Sequence, residues 1–336
     1  AKAYLRPAKR RPNLTVLTNA QATRLLFAGR RASGVEYRQD GVTRTIDARR
    51  GVALCAGAVQ SPPLLMLAGI GPAEHLCGHG ISVLAASPGV GGNLQDHLQL
   101  RLIYRANRPI TTNDALRSLA GRVRMALQWL LLSQGPLAIG INQGGLFTRV
   151  LDESRTPDIQ FHIATLSADM AGGKVHDFPG FTLSVCQLRP ESRGAITLPS
   201  GDPLVAPLIQ ANYLSAETDR RCAVAAIAFA RRLARTEPLA GYVAREEAPG
   251  PAAETDADLL GFARSHGSTI FHPAGTCKMG PDGDRDAVVD ARLKVRGVER
   301  LWVADCSIMP QLVSGNTNLP AIMIGEKAAD LIQEDA

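Results

Sequence analysis

Residues 266–280 read HGSTIFHPAGTCKMG and set an imidazole, His272, directly before a break made by Pro273 and Gly275. A ring held by such a turn can take the proton of a hydroxyl, or it can be a satisfied structural histidine; both readings stand on this segment alone. His266, His272 and Cys277 also raise the possibility of a metal. The spacing His-x5-His-x4-Cys fits no common zinc pattern and no carboxylate accompanies it, so no metal is expected. Asp305 follows the apolar run at 301–304. An acid at the C-terminal end of a buried strand can bind ligand hydroxyls over the sheet edge, or it can simply make a turn. Asn318 reads as an N-cap with Pro320 in the first turn of a helix. The run of Ile322, Ile324, Ala328, Ala329, Leu331 and Ile332 predicts that this helix is buried. A buried helix N-terminus favours an anion. Asn316, two residues ahead of that cap, could donate its amide to a substrate oxygen.

These groups need a frame to hold them. Residues 13–17 are β-rich, and 23–27 form a second apolar run. The alternating stretches at 34–37 and 42–46 flank Asp40 and Gly41, the strongest short-range signal for a hairpin. The run at 51–57 reads as a strand buried on both faces, followed by a helix over 59–68 with Pro62 and Pro63 in its first turn. Strand, glycine turn and helix together make half of a dinucleotide-binding unit, though any βα unit reads the same way. The loop at 88–97, PGVGGNLQDH, is glycine-rich, but GxGxxG is absent from the sequence. Residues 115–132 predict an amphipathic helix using Leu116, Leu119, Val123, Met125, Leu127 and the leucines at 130–132. Strand-like stretches follow at 158–163, 181–188, 195–198 and 208–213. Helices are predicted over 215–235, capped by Ser215, and over 256–264, and two short strands within 288–308.

Composition narrows the class. The chain has 336 residues, a net charge of +6 and 45% apolar residues, which fits a folded globular protein of about two domains. Aromatics make up only 4% and the basic excess is spread out, so stacking or electrostatic binding of nucleic acid is not expected. No apolar run approaches the ~20 residues of a membrane span. Six scattered cysteines without a CxxC read as reduced and buried, and with no secretory signal visible they point to the cytoplasm.

The strings FHPAGTCKMG, VRGVERLWVADCSIMP and VSGNTNLPAIMIGEKAADLI resemble the C-terminal signature of the glucose–methanol–choline (GMC) oxidoreductases, closest to the choline dehydrogenase-like branch. GAVQSPPLLMLAGIGPAEHL resembles the second signature of that family, and PGVGGNLQDH and RPESRGAITLPSGDPLVAPLIQANYLS follow its pattern. The likeness runs from Tyr4 to Ile332.

The resemblance implies FAD as cofactor and oxidation of a primary alcohol to an aldehyde, by hydride transfer to flavin N5 while a histidine removes the hydroxyl proton. His272 matches that histidine and Asn316 the second active-site position. Asp305 matches the acid at the ribityl chain, and Thr317 and Asn318 the backbone at the pyrimidine edge. Ala22 matches the main chain that holds the adenine, and Asn93 and Asp96 fall in the loop near the cofactor. The implied fold is mixed α/β: an incomplete Rossmann-like FAD lobe at 1–97 and 266–336, and a substrate lobe of antiparallel sheet and helices at 98–265. Because the strand–GxGxxG–helix that seats the FAD pyrophosphate is missing, the chain resembles the C-terminal portion of such an enzyme. Alone it is expected to bind FAD poorly or not at all, and a missing N-terminal segment becomes a possible partner. The scarcity of aromatics favours an uncharged alcohol over a quaternary ammonium, which calls for an aromatic cage. Two alternatives remain at this stage, a cyanohydrin lyase of the same fold and a non-catalytic remnant.

Overall fold

The computed structural model describes residues 2–169 and 173–335; Ala1 and Ala336, the outer ends of the expected cofactor lobe, lie outside them. Strands β1 (Ala20–Ala28), β2 (Arg31–Gln39) and β3 (Val42–Asp47) form an antiparallel sheet. Asp40 and Gly41 turn β2 into β3 with φ of 51° and 79°, the left-handed pair expected of an Asp-Gly hairpin. The β-rich stretch at 13–17 forms no strand and is exposed.

Strand β4 (Val52–Leu54) lies parallel to a strand from the far end of the chain, 250 residues on, and leads into helix α1 (Gly57–Leu67). The expectation of a strand buried on both faces is corrected here. Ala53 and Cys55 are exposed, and only Leu54 is buried, because the described residues supply a single neighbouring strand. Pro62 and Pro63 fall in the second turn of α1, not the first. Proline at 62 leaves the carbonyl of Ala58 without its helical N–H, and the hydroxyl of Thr276 donates to that carbonyl at 2.6 Å.

The chain then enters a six-stranded sheet. It comprises β5 (Leu98–Ala106), β6 (Asn142–Thr148), β7 (Ile159–Ala164), β8 (Gly180–Gln187) and β9 (Val243–Ala248), in the order β9-β5-β8-β7-β6, with β10 (Ser268–Thr269) also paired to β5. One face of this sheet carries Leu100, Leu102, Phe161, Leu183 and Val185 into a core shared with helix α3 (Glu217–Ala234) and helix α4 (Asp256–His266). Ala216, without a side-chain bond, occupies the cap of α3 in place of Ser215, and Thr255 and Asp258 form a capping box on α4.

Helix α2 (Leu119–Leu132), which precedes β6, departs from expectation. The predicted helix breaks at Ser118, which is extended and caps Gly121 N–H at 2.9 Å. Of its apolar residues only Met125 is buried, and Leu131 is 75% exposed. Its apolar residues surround the helix instead of forming one stripe, and none of the described residues covers the remainder.

The last part of the chain returns to the first core. Strand β11 (Leu301–Val303) pairs with β4, and helix α5 (Asn318–Asp335) follows. Residues 288–295 form bridges, not a strand. Helix α5 buries the stripe of Ile324, Ala328 and Leu331 but exposes Leu319 and Met323, so it is half-buried, not buried. The first core joins Leu25, Leu65, Met66 and Ile70 to Val289, Leu301, Trp302 and Ile324. All six cysteines are free; Cys55 and Cys77 are exposed, against the expectation that all are buried.

Candidate active site

The glycine-rich loop at 88–97 assembles the site. Gly91 sits at φ +82° where a Cβ would stand 2.2 Å from the Ile196 carbonyl, so only glycine fits there. Gln95 exchanges backbone bonds with Ala274 at 3.0 and 2.9 Å, laying the loop against the His272 segment. The Gln95 side chain accepts from Leu312 N–H at 3.0 Å and donates to the Pro310 carbonyl at 3.1 Å. Asn93 donates to the carbonyls of Gly275 and Pro310 and accepts from Arg193 Nε. One tetrapeptide, Asn-Leu-Gln-Asp, therefore staples together the segments that carry His272 and Asn316.

Asp96 is buried and accepts four hydrogen bonds. Oδ1 takes the backbone N–H of His97 and of His272, each at 2.9 Å. Oδ2 takes the Tyr213 hydroxyl at 2.5 Å and the Thr269 hydroxyl. Burial and the Asp96 charge push the Tyr213 phenol above its ordinary value, so it stays a donor. Asn93 and Asp96, expected near the cofactor, spend these bonds inside the protein and fix the backbone at His272.

His272 is itself buried, and its Nδ1 lies 2.9 Å from Nδ1 of His97. The other nitrogen of His97, Nε2, is 3.1 Å from the Leu188 carbonyl. Burial pushes His97 down to about 4, against the opposing pull of that carbonyl, and burial also lowers His272. Both rings are thus neutral near pH 7. A carbonyl can only accept, so Nε2 of His97 carries its hydrogen and its Nδ1 accepts. Nδ1 of His272 must then be the donor. The lone pair of His272 is left on Nε2, an atom that can therefore accept a hydrogen bond or a proton.

His272 and Asn316 line one cavity of about 310 Å³. Asn316 Oδ1 accepts from Gln160 Nε2 at 3.0 Å. With its oxygen engaged, Asn316 has its Nδ2 hydrogens left to donate. Burial holds His162 below its ordinary value. Part of the rest of the wall is the second face of the six-stranded sheet. The register pairs Arg101 with Ser184 and Ser184 with His162, and Gln99 with Cys186 and Cys186 with Gln160, so each row shares one face.

His97, Gln99, Arg101, Gln160 and His162 escaped the sequence reading. The signal was there in polar residues at i, i+2 spacing inside otherwise apolar strands, in Gln99 and Arg101 of β5 and Gln160 and His162 of β7.

The other expected positions are not among the residues that line this cavity. Asp305 follows β11; its Oδ2 accepts from Gly57 N–H at 2.9 Å and Ser61 hydroxyl at 2.6 Å, and its Oδ1 from Ser307 N–H at 2.8 Å. It ties the end of β11 to the first two turns of α1. Helix α5 starts at Asn318, and the Thr317 carbonyl accepts from Ala321 N–H, so Thr317 and not Asn318 holds the cap position. The first-turn N–H groups of α5 have no carbonyl ahead of them within the helix. Ala22 lies in β1 opposite Tyr37, beside a register shift at Thr23.

Sequence profiles described as GMC oxidoreductase match residues 1–99 and 190–325, together more than half of the chain. The chain is 40% identical over 333 residues to oxygen-dependent choline dehydrogenase 1 of Chromohalobacter salexigens, covering 99% of this chain and 59% of that protein. It is 41% identical over 336 residues to oxygen-dependent choline dehydrogenase of Brucella ovis, covering 99% of this chain and 60% of that protein. Among solved structures, formate oxidase of Aspergillus oryzae RIB40 superposes with a TM-score of 0.91 at 26% identity, over 98% of this chain and 62% of that one. Pyridoxine 4-oxidase from Mesorbium loti superposes at 0.82 with 28% identity, over 98% and 60%. The chain thus spans about 60% of the length of the curated relatives it matches. No helix among the described residues is long and apolar enough to cross a membrane. Two profiles of one family, each matched in its own part of the sequence, and the shared fold place it: the chain belongs to the GMC oxidoreductase family.

Proposed function

We propose that this chain carries the alcohol-binding and proton-accepting groups of an FAD-dependent oxidation of an alcohol to an aldehyde. The observation that supports this reading is the hydrogen-bond order Leu188 carbonyl, His97, His272, which leaves Nε2 of a neutral His272 as a base beside the amide of Asn316.

The residues present fit a flavin. Beside Asn316, the start of α5 offers free first-turn N–H groups and an uncovered apolar surface at Leu319 and Met323, 76% and 59% exposed. A flat ring with an anionic edge suits both features. Thr317 and Asn318 would hold the pyrimidine edge, Asp305 the ribityl chain and the main chain at Ala22 the adenine. Bound there, the flavin would supply the acceptor for the hydride leaving the alcohol carbon.

The chain's own groups do the rest. A hydride leaves more readily from an alkoxide-like carbon, so proton removal from the hydroxyl helps the step. Nε2 of His272 accepts that proton, a contribution of about 10²–10⁴-fold for a well-placed base. Nδ2 of Asn316 donates to the same oxygen as charge develops, worth about 3 kcal/mol. Asp96 keeps the His272 backbone in place while this occurs. Residues 98–265 form the substrate lobe in this reading, and 1–97 with 266–336 the cofactor lobe.

The test uses the purified chain with FAD at concentrations high enough to fill a weak site, mixed anaerobically with primary alcohols. We expect alcohol-dependent bleaching of bound flavin, reduced about 10²-fold or more in His272→Ala at equal flavin content. Equal bleaching in the variant removes His272 from the mechanism. Bound flavin that no alcohol bleaches overturns the redox reading, and cyanohydrin cleavage under those conditions would point to the lyase.

A further inference from the structure

The cavity that His272 lines has a charge character that the family resemblance did not supply. Among the described residues lining the cavity, Arg101 is the one with a formal charge, and none is Asp or Glu. Arg101 is half-buried in the middle strand row of the polar sheet face. Its single side-chain hydrogen bond is a long one, 3.4 Å to the Ser268 hydroxyl, and it forms no ion pair among the described residues. Partial burial of a guanidinium without a carboxylate costs free energy that a bound anion would return. Burial correspondingly lowers Arg101 from its ordinary value. The neighbouring groups, Gln99 and Ser184, add hydrogen-bonding partners on the same face, and Cys186 and Thr182 continue it with small side chains. The relatives named for choline act on a cation; this wall would repel one.

We propose that the substrate is a hydroxy acid, a primary alcohol whose far end carries a carboxylate paired bidentately with Arg101. The proposal rests on the redox reading of the same cavity and replaces the uncharged alcohol expected from composition. Arginine's planar fork matches a carboxylate in two parallel hydrogen bonds. With the hydroxyl between His272 and Asn316 and the acid at Arg101, the substrate lies along one sheet face. At ~30 Å³ per water-sized group, the cavity of about 310 Å³ takes roughly ten non-hydrogen atoms. That size accommodates a short hydroxy acid.

The test is equilibrium binding to the full 336-residue chain by calorimetry, which needs no flavin. The probes are 4-hydroxybutyrate, 6-hydroxyhexanoate, their methyl esters, and choline. We expect the acids to bind about 10-fold or more tighter than their esters, with the preference falling as salt rises. Arg101→Gln should abolish the preference, and Arg101→Lys should keep part of it. Should the Gln variant fail to fold, the salt dependence of the Lys variant against the unsubstituted chain carries the test. Choline binding as tightly as the acids, or an acid preference that survives Arg101→Gln, would overturn the proposal. Acid preference without flavin bleaching would instead overturn the redox reading alone. Bleaching by esters and acids alike, with no binding preference, would overturn this proposal and keep the redox reading.

Discussion

The Nδ1 atoms of His97 and His272 lie 2.9 Å apart, and the rings meet edge to face at 82°. One of two facing nitrogens must carry a hydrogen and the other must not. The Leu188 carbonyl on the far side of His97 decides which. The hydrogen-bond order of carbonyl, His97 and His272 thus sets the protonation state of Nε2 of His272.

Removing the His97 ring removes that instruction. In His97→Ala, His272 is free to place its hydrogen on Nε2, the form that cannot accept a proton from substrate. Turnover should fall about 10-fold or more, a share of the 10²–10⁴ that a base supplies. Nitrogen-15 NMR should show His272 shifting from the Nδ1–H to a mixed tautomer. An unchanged tautomer would remove His97 from this role.

Acid should destabilise the fold through the same pair. His97 is fully buried and held at about 4, against about 6.5 in the unfolded chain. A lowered histidine means the unfolded state binds more protons once pH drops below its own value. Stability is therefore level above pH 6.5 and falls between about 6.5 and 4, by on the order of 3 kcal/mol for His97. His272, also lowered, adds to the loss in the same direction. Denaturant melts at pH 7.5 and 4.5 should show this, and His97→Gln should reduce the difference.

Asp96 gathers four donors on two oxygens, so its charge cannot be replaced by an amide of the same shape. Asn would turn an N–H₂ toward donors that need an acceptor. Asp96→Asn should cost about 3 kcal/mol or more, since each bond to a charged group is worth ~1.5–3 kcal/mol. Chemical denaturation measures it, and a loss under ~1 kcal/mol would show that the bonds are replaceable.

Thr276 has a smaller and more local task. Its hydroxyl satisfies the Ala58 carbonyl that Pro62 leaves open. Thr276→Val should cost about 1–2 kcal/mol and Thr276→Ser much less, measured in the same melts.

The sequence by itself determined the pieces. Asp-Gly between alternating runs gave the β2–β3 hairpin because few residues tolerate that turn. The strands at 159–164 and 180–187 and the helix at 217–234 lie within a few residues of their predicted ends, since period and punctuation are local properties. His272 and Asn316 were also legible, through long motifs. That the two share one cavity agrees with that reading; what holds the cavity together was not legible, because it depends on Asn93, Gln95 and Asp96 bonding to segments some 175 to 220 residues away. Burial was misjudged in β4, α2 and α5, where apolar residues predict a covered face but cannot name what covers it. Only the tertiary structure could pair His97 with His272, or bring Arg101 into the same cavity as His272 from the polar side of a sheet. Hydrogen-bond direction and the absence of a countercharge arise between elements distant in the chain, and local residue patterns do not encode them.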